Sequence, residues 1–124
     1  MEVGFRKKTP AWYVDEKTIA FKASNRDAVI LIDAEDFPLV RPYTWSLNGK
    51  GIPATCVGDR QTVLLYWHIF GRGNKLVRVT HKDGDRLNNR KSNFCVYIAG
   101  ERTRTCYPSV TAAKRAEENR WTLP

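Results

Sequence analysis

The side chains best suited to chemistry lie in one short segment, Val79 to Phe94, which reads VTHKDGDRLNNRKSNF. It contains one histidine, His81, followed by a tight Asp-Gly turn and by three asparagines, Asn88, Asn89 and Asn93. An imidazole can accept a proton from water at neutral pH. Asparagine amides can hold a loop by hydrogen bonds to its backbone. The segment therefore predicts a loop, held by its asparagines, that carries an imidazole able to accept a proton.

The spacing of these residues resembles the signature of the HNH nucleases, in the small phage and homing-endonuclease branch. The corresponding segment of that family reads Asp-His, a Gly turn, Asn-Asn and then Asn-Leu. The resemblance covers about Ala28 to Ile98 and implies a strand-loop-strand-helix unit, termed ββα, at about 76–107. It also implies metal-dependent hydrolysis of DNA, in which His81 is the general base and Asn89 and Asn93 hold the loop and the histidine in place.

Two positions depart from the pattern of that family. The metal-binding Asp that precedes the base in the family is Thr80 here, and the second ligand, expected on the helix after Asn93, falls on Arg102. A neutral hydroxyl is a poor ligand for Mg²⁺ or Mn²⁺, and a guanidinium repels a cation. Asp83 and Glu101 are the carboxylates predicted to replace the missing metal ligands.

Three classes of function remain open at this point. In the first, a rearranged site with Mg²⁺ or Mn²⁺ cuts double-stranded DNA. In the second, the scaffold binds DNA or RNA without cutting it, and Arg102 contacts the phosphate directly. In the third, the chain is a phage regulator or inhibitor that binds a host protein, and its four tryptophans would suit such an interface. A steep loss of binding with salt would favour nucleic acid over a protein partner.

The charge of the chain favours a polyanionic partner. Its 21 Lys+Arg against 13 Asp+Glu give a net charge of +8. Between residues 72 and 120, twelve basic residues stand against five acidic ones, so nearly all the excess lies in the segment with the motif. Contacts to backbone phosphates supply most of the affinity of a non-specific DNA-binding protein. The predicted DNA contacts are Lys82, Arg86, Arg90, Lys91, Arg102 and Arg104.

Apolar periodicity and turn residues predict the elements that position the motif. Strand pairs are expected from 18–23 with 28–33 and from 43–47 with 52–57; a strand leading into a short helix at 61–70; the strands of the ββα unit at 76–80 and 94–98; and a helix at 109–120. Asp33 is expected to cap a helical turn that ends at Pro42, and His68 to be a hydrogen-bonded core residue. Together these elements predict one small α+β domain.

The predicted organisation has three parts. They are a basic N-terminal arm at 1–13, an HNH-like domain at 14–107 and a C-terminal helix at 108–124. Cys56, Cys95 and Cys106 lack the spacing of a zinc site or a disulfide framework, and they are expected to be buried thiols in a reducing compartment. No apolar run approaches the roughly twenty residues that cross a bilayer. We therefore expect a cytoplasmic protein of a bacterial or phage-infected cell, with no membrane partner and no organic cofactor.

Overall fold

The computed structural model describes residues 2–3, 10–58, 61–101 and 104–120. The strands are β1 (Glu2–Val3), β2 (Ala11–Asp15), β3 (Thr18–Lys22), β4 (Val29–Asp33), β5 (Ser46–Leu47), β6 (Pro53–Val57), β7 (Gln61–Leu64), β8 (Val77–His81), β9 (Asn88–Asn89) and β10 (Phe94–Ile98). The helices are α1 (Phe37–Val40), α2 (Leu65–Ile69) and α3 (Val110–Arg120), and short 3-10 turns lie at Ala34–Asp36 and Lys91–Asn93. This is a small α+β domain with N-terminal hairpin strands and a C-terminal helix, as predicted.

The first sheet has the strand order β1-β2-β3-β4-β9. Strands β2, β3 and β4 pair antiparallel, which confirms the strand pair predicted at 18–33. Strand β9 adds to β4 in the parallel direction, with Leu31 opposite Asn88 and Ile32 opposite Asn89. The asparagine pair of the motif is therefore built into the edge of the N-terminal sheet.

Two smaller sheets complete the fold. Strands β5, β6 and β7 form one of them, which confirms the second predicted hairpin. Strands β8 and β10 form the other, with Val77 opposite Ile98 and His81 opposite Phe94. Strand β10 has its predicted bounds, whereas β8 is displaced by one residue, so that His81 is its last residue.

Helix α3 closes the β8–β10 hairpin on one face. Val110 and Ala113 of the helix pack with Val77 and Val96 of the two strands. The hydroxyl oxygen of Ser109 accepts a hydrogen bond from the backbone N–H of Ala112 at 3.0 Å, so the predicted helix and its cap are confirmed. The described residues between β10 and α3 are not helical, so the helix that follows the two strands is α3, outside the 76–107 predicted for the ββα unit.

The main core lies between the N-terminal sheet and the two short helices. Its buried members include Phe21, Ile30, Ile32, Trp45 and Leu65. The ring Nε2 of His68, on α2, lies 2.7 Å from the carbonyl oxygen of Leu39 next to the rings of Tyr43 and Trp45. His68 is therefore a hydrogen-bonded packing residue, as predicted.

One prediction about local structure is wrong, and another changes in part. Asp33 makes no cap, because its carboxylate accepts hydrogen bonds from Arg90 Nε and the backbone N–H of Lys91, 57 and 58 residues along the chain. Of the predicted arm, residues 1 and 4–9 lie outside the described residues, while 2–3 and 11–13 are in strands β1 and β2. Ala11 is fully buried there, so this end of the predicted arm belongs to the sheet.

The cysteine prediction is also wrong. Cys95 and Cys106 form a disulfide, and Cys56 is a free, exposed thiol. The pairing arises because the backbone N–H of Tyr107 donates to the carbonyl oxygen of Val96 at 2.7 Å, which brings the preceding residue next to β10. The inference of a reducing compartment from the cysteines therefore fails. Separately, no helix within the described ranges is long and apolar enough to cross a membrane.

Candidate nucleic-acid site

The ring of His81 is held in one orientation at the end of β8. The ring of Tyr66 contacts it edge-on at 5.7 Å between centroids, and the ring of Phe94 contacts it at 5.2 Å. Its Nε2 atom lies 3.2 Å from the side-chain oxygen of Asn89, a residue with no exposed surface. Two rings and one hydrogen bond therefore fix where the other ring nitrogen points.

The hydrogen bonds of Asn89 also determine which ring nitrogen of His81 carries the proton. The amide nitrogen of Asn89 donates to the carbonyl oxygen of Arg86 at 3.0 Å, so its oxygen is the atom that faces His81. That oxygen can only accept, and Nε2 must therefore carry the hydrogen. In the neutral ring Nδ1 is then unprotonated and can take a proton from water. This is the arrangement a general base needs.

Asn93 organises the loop between β8 and β10. Its amide nitrogen donates to the Asp83 carboxylate at 2.9 Å and to the carbonyl oxygen of Asn88 at 3.0 Å. Its side-chain oxygen accepts from the backbone N–H of Asp83, and its backbone oxygen from that of Lys82. The turn itself is closed at Gly84, whose φ of 76° favours glycine. These hydrogen bonds are of the kind expected if Asn93 holds the loop in place.

The two predicted metal ligands do not meet at His81. The Asp83 carboxylate is exposed and accepts from Asn93 and from the backbone N–H of Asp85, and these hydrogen bonds lower its pKa. The Glu101 carboxylate accepts instead from the Tyr107 hydroxyl at 3.4 Å. No group of three metal-ligating side chains within the described ranges includes His81. Arg102 lies outside the described residues, so the structure does not place it.

A divalent metal beside His81 therefore stays a prediction. One acidic group does occur elsewhere, formed by Asp33, Glu35 and Asp36. Two cations offset most of its charge, since the Lys91 ammonium lies 2.6 Å from Glu35 and 3.1 Å from Asp36, and Arg90 lies 3.0 Å from Asp33. We name these five residues the ion-pair cluster. It joins the loop after β9 to the end of β4.

The six predicted DNA contacts have different environments. Arg90 and Lys91 are engaged in the ion-pair cluster and are not free for phosphate. Arg86 is exposed and donates to the carbonyl oxygen of Lys50, and Lys82 is exposed with no ion pair to a described carboxylate. Arg104 stacks on the ring of Tyr97 at 4.0 Å, and Arg102 is outside the described residues. The predicted DNA contacts therefore differ in how available their charged groups are to a phosphate, a difference that the sequence does not indicate.

A groove of about 560 Å³ lies beside strand β8, on a surface that the motif does not mark. Its lining includes Tyr66, Trp67, Arg72, Lys75, Arg78, Thr80 and Tyr97. We call it the β8 groove. Its three basic residues lie within the charge excess at 72–120 but were not among the predicted DNA contacts. The sequence feature that could have indicated the groove was a basic residue, Arg78, next to the apolar Val77 in a predicted strand and close to the basic turn GRGNK.

No protein-family model, curated protein or solved structure matches the chain.

Proposed function

We propose that this protein hydrolyses phosphodiester bonds in nucleic acid, most directly in DNA, with His81 as the general base. The observation that carries the proposal is the hydrogen bond from His81 Nε2 to an asparagine whose orientation is itself fixed, which leaves Nδ1 as the proton acceptor. The HNH-like spacing of the motif and the net charge of +8 support the choice of substrate.

The reaction this arrangement can perform is a hydrolysis. His81 Nδ1 takes a proton from a water molecule, and the water oxygen attacks phosphorus. The bond from phosphorus to one ester oxygen breaks, and that oxygen leaves as a hydroxyl after taking a proton from solvent. General base catalysis of this kind contributes about 10²–10⁴-fold to a rate. Asn89 acts as a positioning residue, since it sets the protonated nitrogen of His81.

A second function, nucleic-acid binding without cleavage, is favoured by one observation. Asp83 and Glu101 accept hydrogen bonds from Asn93 and Tyr107, and no group of three metal-ligating side chains among the described residues includes His81. In that case the loop and its ββα-like frame would serve binding only. The two functions differ in whether a covalent product forms.

A plasmid-nicking assay separates the two functions. Supercoiled plasmid is incubated with the wild type, His81→Gln or His68→Gln, each in Mg²⁺, Mn²⁺ or EDTA. The His68 variant is the matched control, because the same exchange is made at a packing residue that keeps a donor for Leu39. The proposal expects open-circular product from the wild type and the control, and a loss of about 10²-fold or more in His81→Gln.

Three other outcomes are informative. Equal nicking by His81→Gln would contradict the role of His81. Plasmid that is retarded on a gel but never nicked would support the binding function instead. Plasmid that is neither nicked nor retarded would exclude both and direct attention to a protein partner.

A further inference from the structure

We propose that the β8 groove binds the sugar-phosphate backbone of the nucleic-acid strand on which His81 acts. The identity of that strand as the one cut rests on the proposed function, whereas binding in the groove does not require cleavage. The inference starts from charge. Arg72, Lys75 and Arg78 line the groove, no carboxylate of a described residue lines it, and none of the three is ion-paired to a described acidic residue. Charge left unneutralised in a concave surface attracts a polyanion.

Two arginines are oriented in advance, Arg72 in the lining of the groove and Arg104 on the ring of the lining residue Tyr97. The Arg72 guanidinium lies 4.3 Å from the centre of the Trp67 ring, and the Arg104 guanidinium lies 4.0 Å from that of Tyr97. Stacking uses the flat face of a guanidinium, while its N–H donors lie in the plane of the group. The donors therefore remain available for paired hydrogen bonds to phosphate oxygens, with less conformational entropy to lose on binding.

The backbone that carries these cations is fixed to β8. The backbone N–H of Asn74 donates to the carbonyl oxygen of Val77 at 2.7 Å, and the Asn74 side-chain oxygen accepts from the backbone N–H groups of Leu76 and Val77. At Gly73 an added Cβ would lie 2.1 Å from the Val77 oxygen, so only glycine fits this close approach. Arg72 and Lys75 are thus presented from a braced turn.

The groove is continuous with the His81 site. Tyr66 lines the groove and also contacts the His81 ring, and Thr80 lines it directly before His81 in β8. Successive residues of a strand face opposite sides, so Tyr66 is the contact that joins the groove to His81, and a backbone held by Arg72 and Arg78 would lie one side chain away from the proposed base. Because backbone phosphates carry no sequence information, we expect binding here with little sequence preference.

The test compares two double variants of equal net charge by fluorescence anisotropy with short labelled DNA, single-stranded and duplex. Arg72→Gln with Arg78→Gln removes two groove cations; Arg26→Gln with Arg41→Gln removes two exposed cations that have no ion pair to a described acid. We expect the groove variant to bind at least about tenfold more weakly, with a salt slope smaller by about 2. The control should change by about twofold or less. The ligand of the groove is the form of DNA, single-stranded or duplex, whose affinity falls more in the groove variant.

A conservative variant shows whether weaker binding comes from the lost arginine groups or from loss of the fold. Arg72→Lys keeps the charge but not the stacked planar group, so its affinity should fall between the wild type and Arg72→Gln. Equal affinity of the groove and control double variants would overturn the inference, as would a wild type that binds neither form of DNA. If the wild type cuts DNA and the groove variant binds like the control, the groove fails and the hydrolysis stands. If the wild type binds through the groove but never cuts, the hydrolysis fails and the groove stands.

Discussion

The β8 groove and the ion-pair cluster are both rich in basic residues, but their basic residues have opposite surroundings. In the cluster, Arg90 and Lys91 face three carboxylates, one of them on the buried Asp36. In the groove, Arg72 lies over the Trp67 ring, and neither it nor Lys75 nor Arg78 has an acidic partner among the described residues. The basic residues of the cluster therefore hold the loop on the N-terminal sheet, whereas those of the groove remain available to a ligand.

Charge reversal should produce the largest difference in unfolding free energy between the two regions. Lys91→Glu places a fourth carboxylate beside Asp33, Glu35 and Asp36, and we expect it to lower the free energy of unfolding by about 3 kcal/mol or more. Arg78→Glu, at an exposed residue with no ion pair to a described acid, should lower it by less than about 0.5 kcal/mol. Urea unfolding measures both. Equal losses would mean that the two regions do not differ in this way.

The disulfide tests how firmly one wall of the groove is held. Cys95 and Cys106 flank Tyr97 and Arg104 and close a short loop, so reduction should lower the free energy of unfolding by about 3 kcal/mol. Thermal unfolding with and without dithiothreitol measures this effect. Cys56→Ser is the control, since the exposed free thiol should leave the result unchanged. A melting temperature insensitive to reductant would contradict the pairing.

Asn93 tests the loop that lies between the two regions. Asn93→Ala removes two donated hydrogen bonds and one accepted bond at a buried site, and we expect a loss of about 2 kcal/mol. Cleavage should fall as well, because the loop that holds Asn89 against His81 is loosened. Ser92→Ala, at the exposed neighbour, is the control for urea unfolding and for cleavage. If both variants unfold alike, the loop is held by other contacts.

The smallest expected effect is a pH dependence from Asp36. Burial raises its pKa above the ordinary 3.8, and Lys91 offsets this only in part. Between 3.8 and the raised value the folded state binds more protons than the unfolded state, so this carboxyl lowers stability as pH rises through that window. Asp36→Asn should therefore gain stability relative to the wild type from acidic to neutral pH, by less than about 1 kcal/mol.

The control for this pH effect is Asp27→Asn. Asp27 is an exposed partner of Lys22, with 92% of its side-chain surface accessible. Thermal unfolding at several pH values should show no comparable trend for that variant. A stability difference between Asp36→Asn and the wild type that shrinks toward neutral pH would contradict the assignment.

Local patterns were sufficient to predict several elements of this fold. Strand β10, the cap of α3 at Ser109 and the turn at Gly84 follow from apolar alternation and from residues with strong positional preferences. The loop role of Asn93 was also accessible, because its partners are within ten residues. In these cases the determining contacts lie close in sequence.

The features that could not be predicted depend on distant contacts. The parallel pairing of β9 with β4 joins Leu31 to Asn88, and only this pairing places Asp33 beside Arg90. A count of basic residues therefore could not separate neutralised from free cations. The disulfide depends on the chain returning to Val96 at Tyr107, which cysteine spacing does not encode. The groove likewise depends on the approach of the turn after α2 to β8.

The most direct test of the account is single-turnover cleavage of an end-labelled oligonucleotide over a range of protein concentrations. The wild type is compared with His81→Gln and with Arg72→Gln/Arg78→Gln. The account predicts that the groove variant needs about tenfold more protein for half-maximal rate but approaches the wild-type rate at saturation. It predicts that His81→Gln keeps the binding affinity measured by anisotropy and loses the rate by about 10²-fold or more. A His81 variant that cuts at the wild-type rate would contradict it.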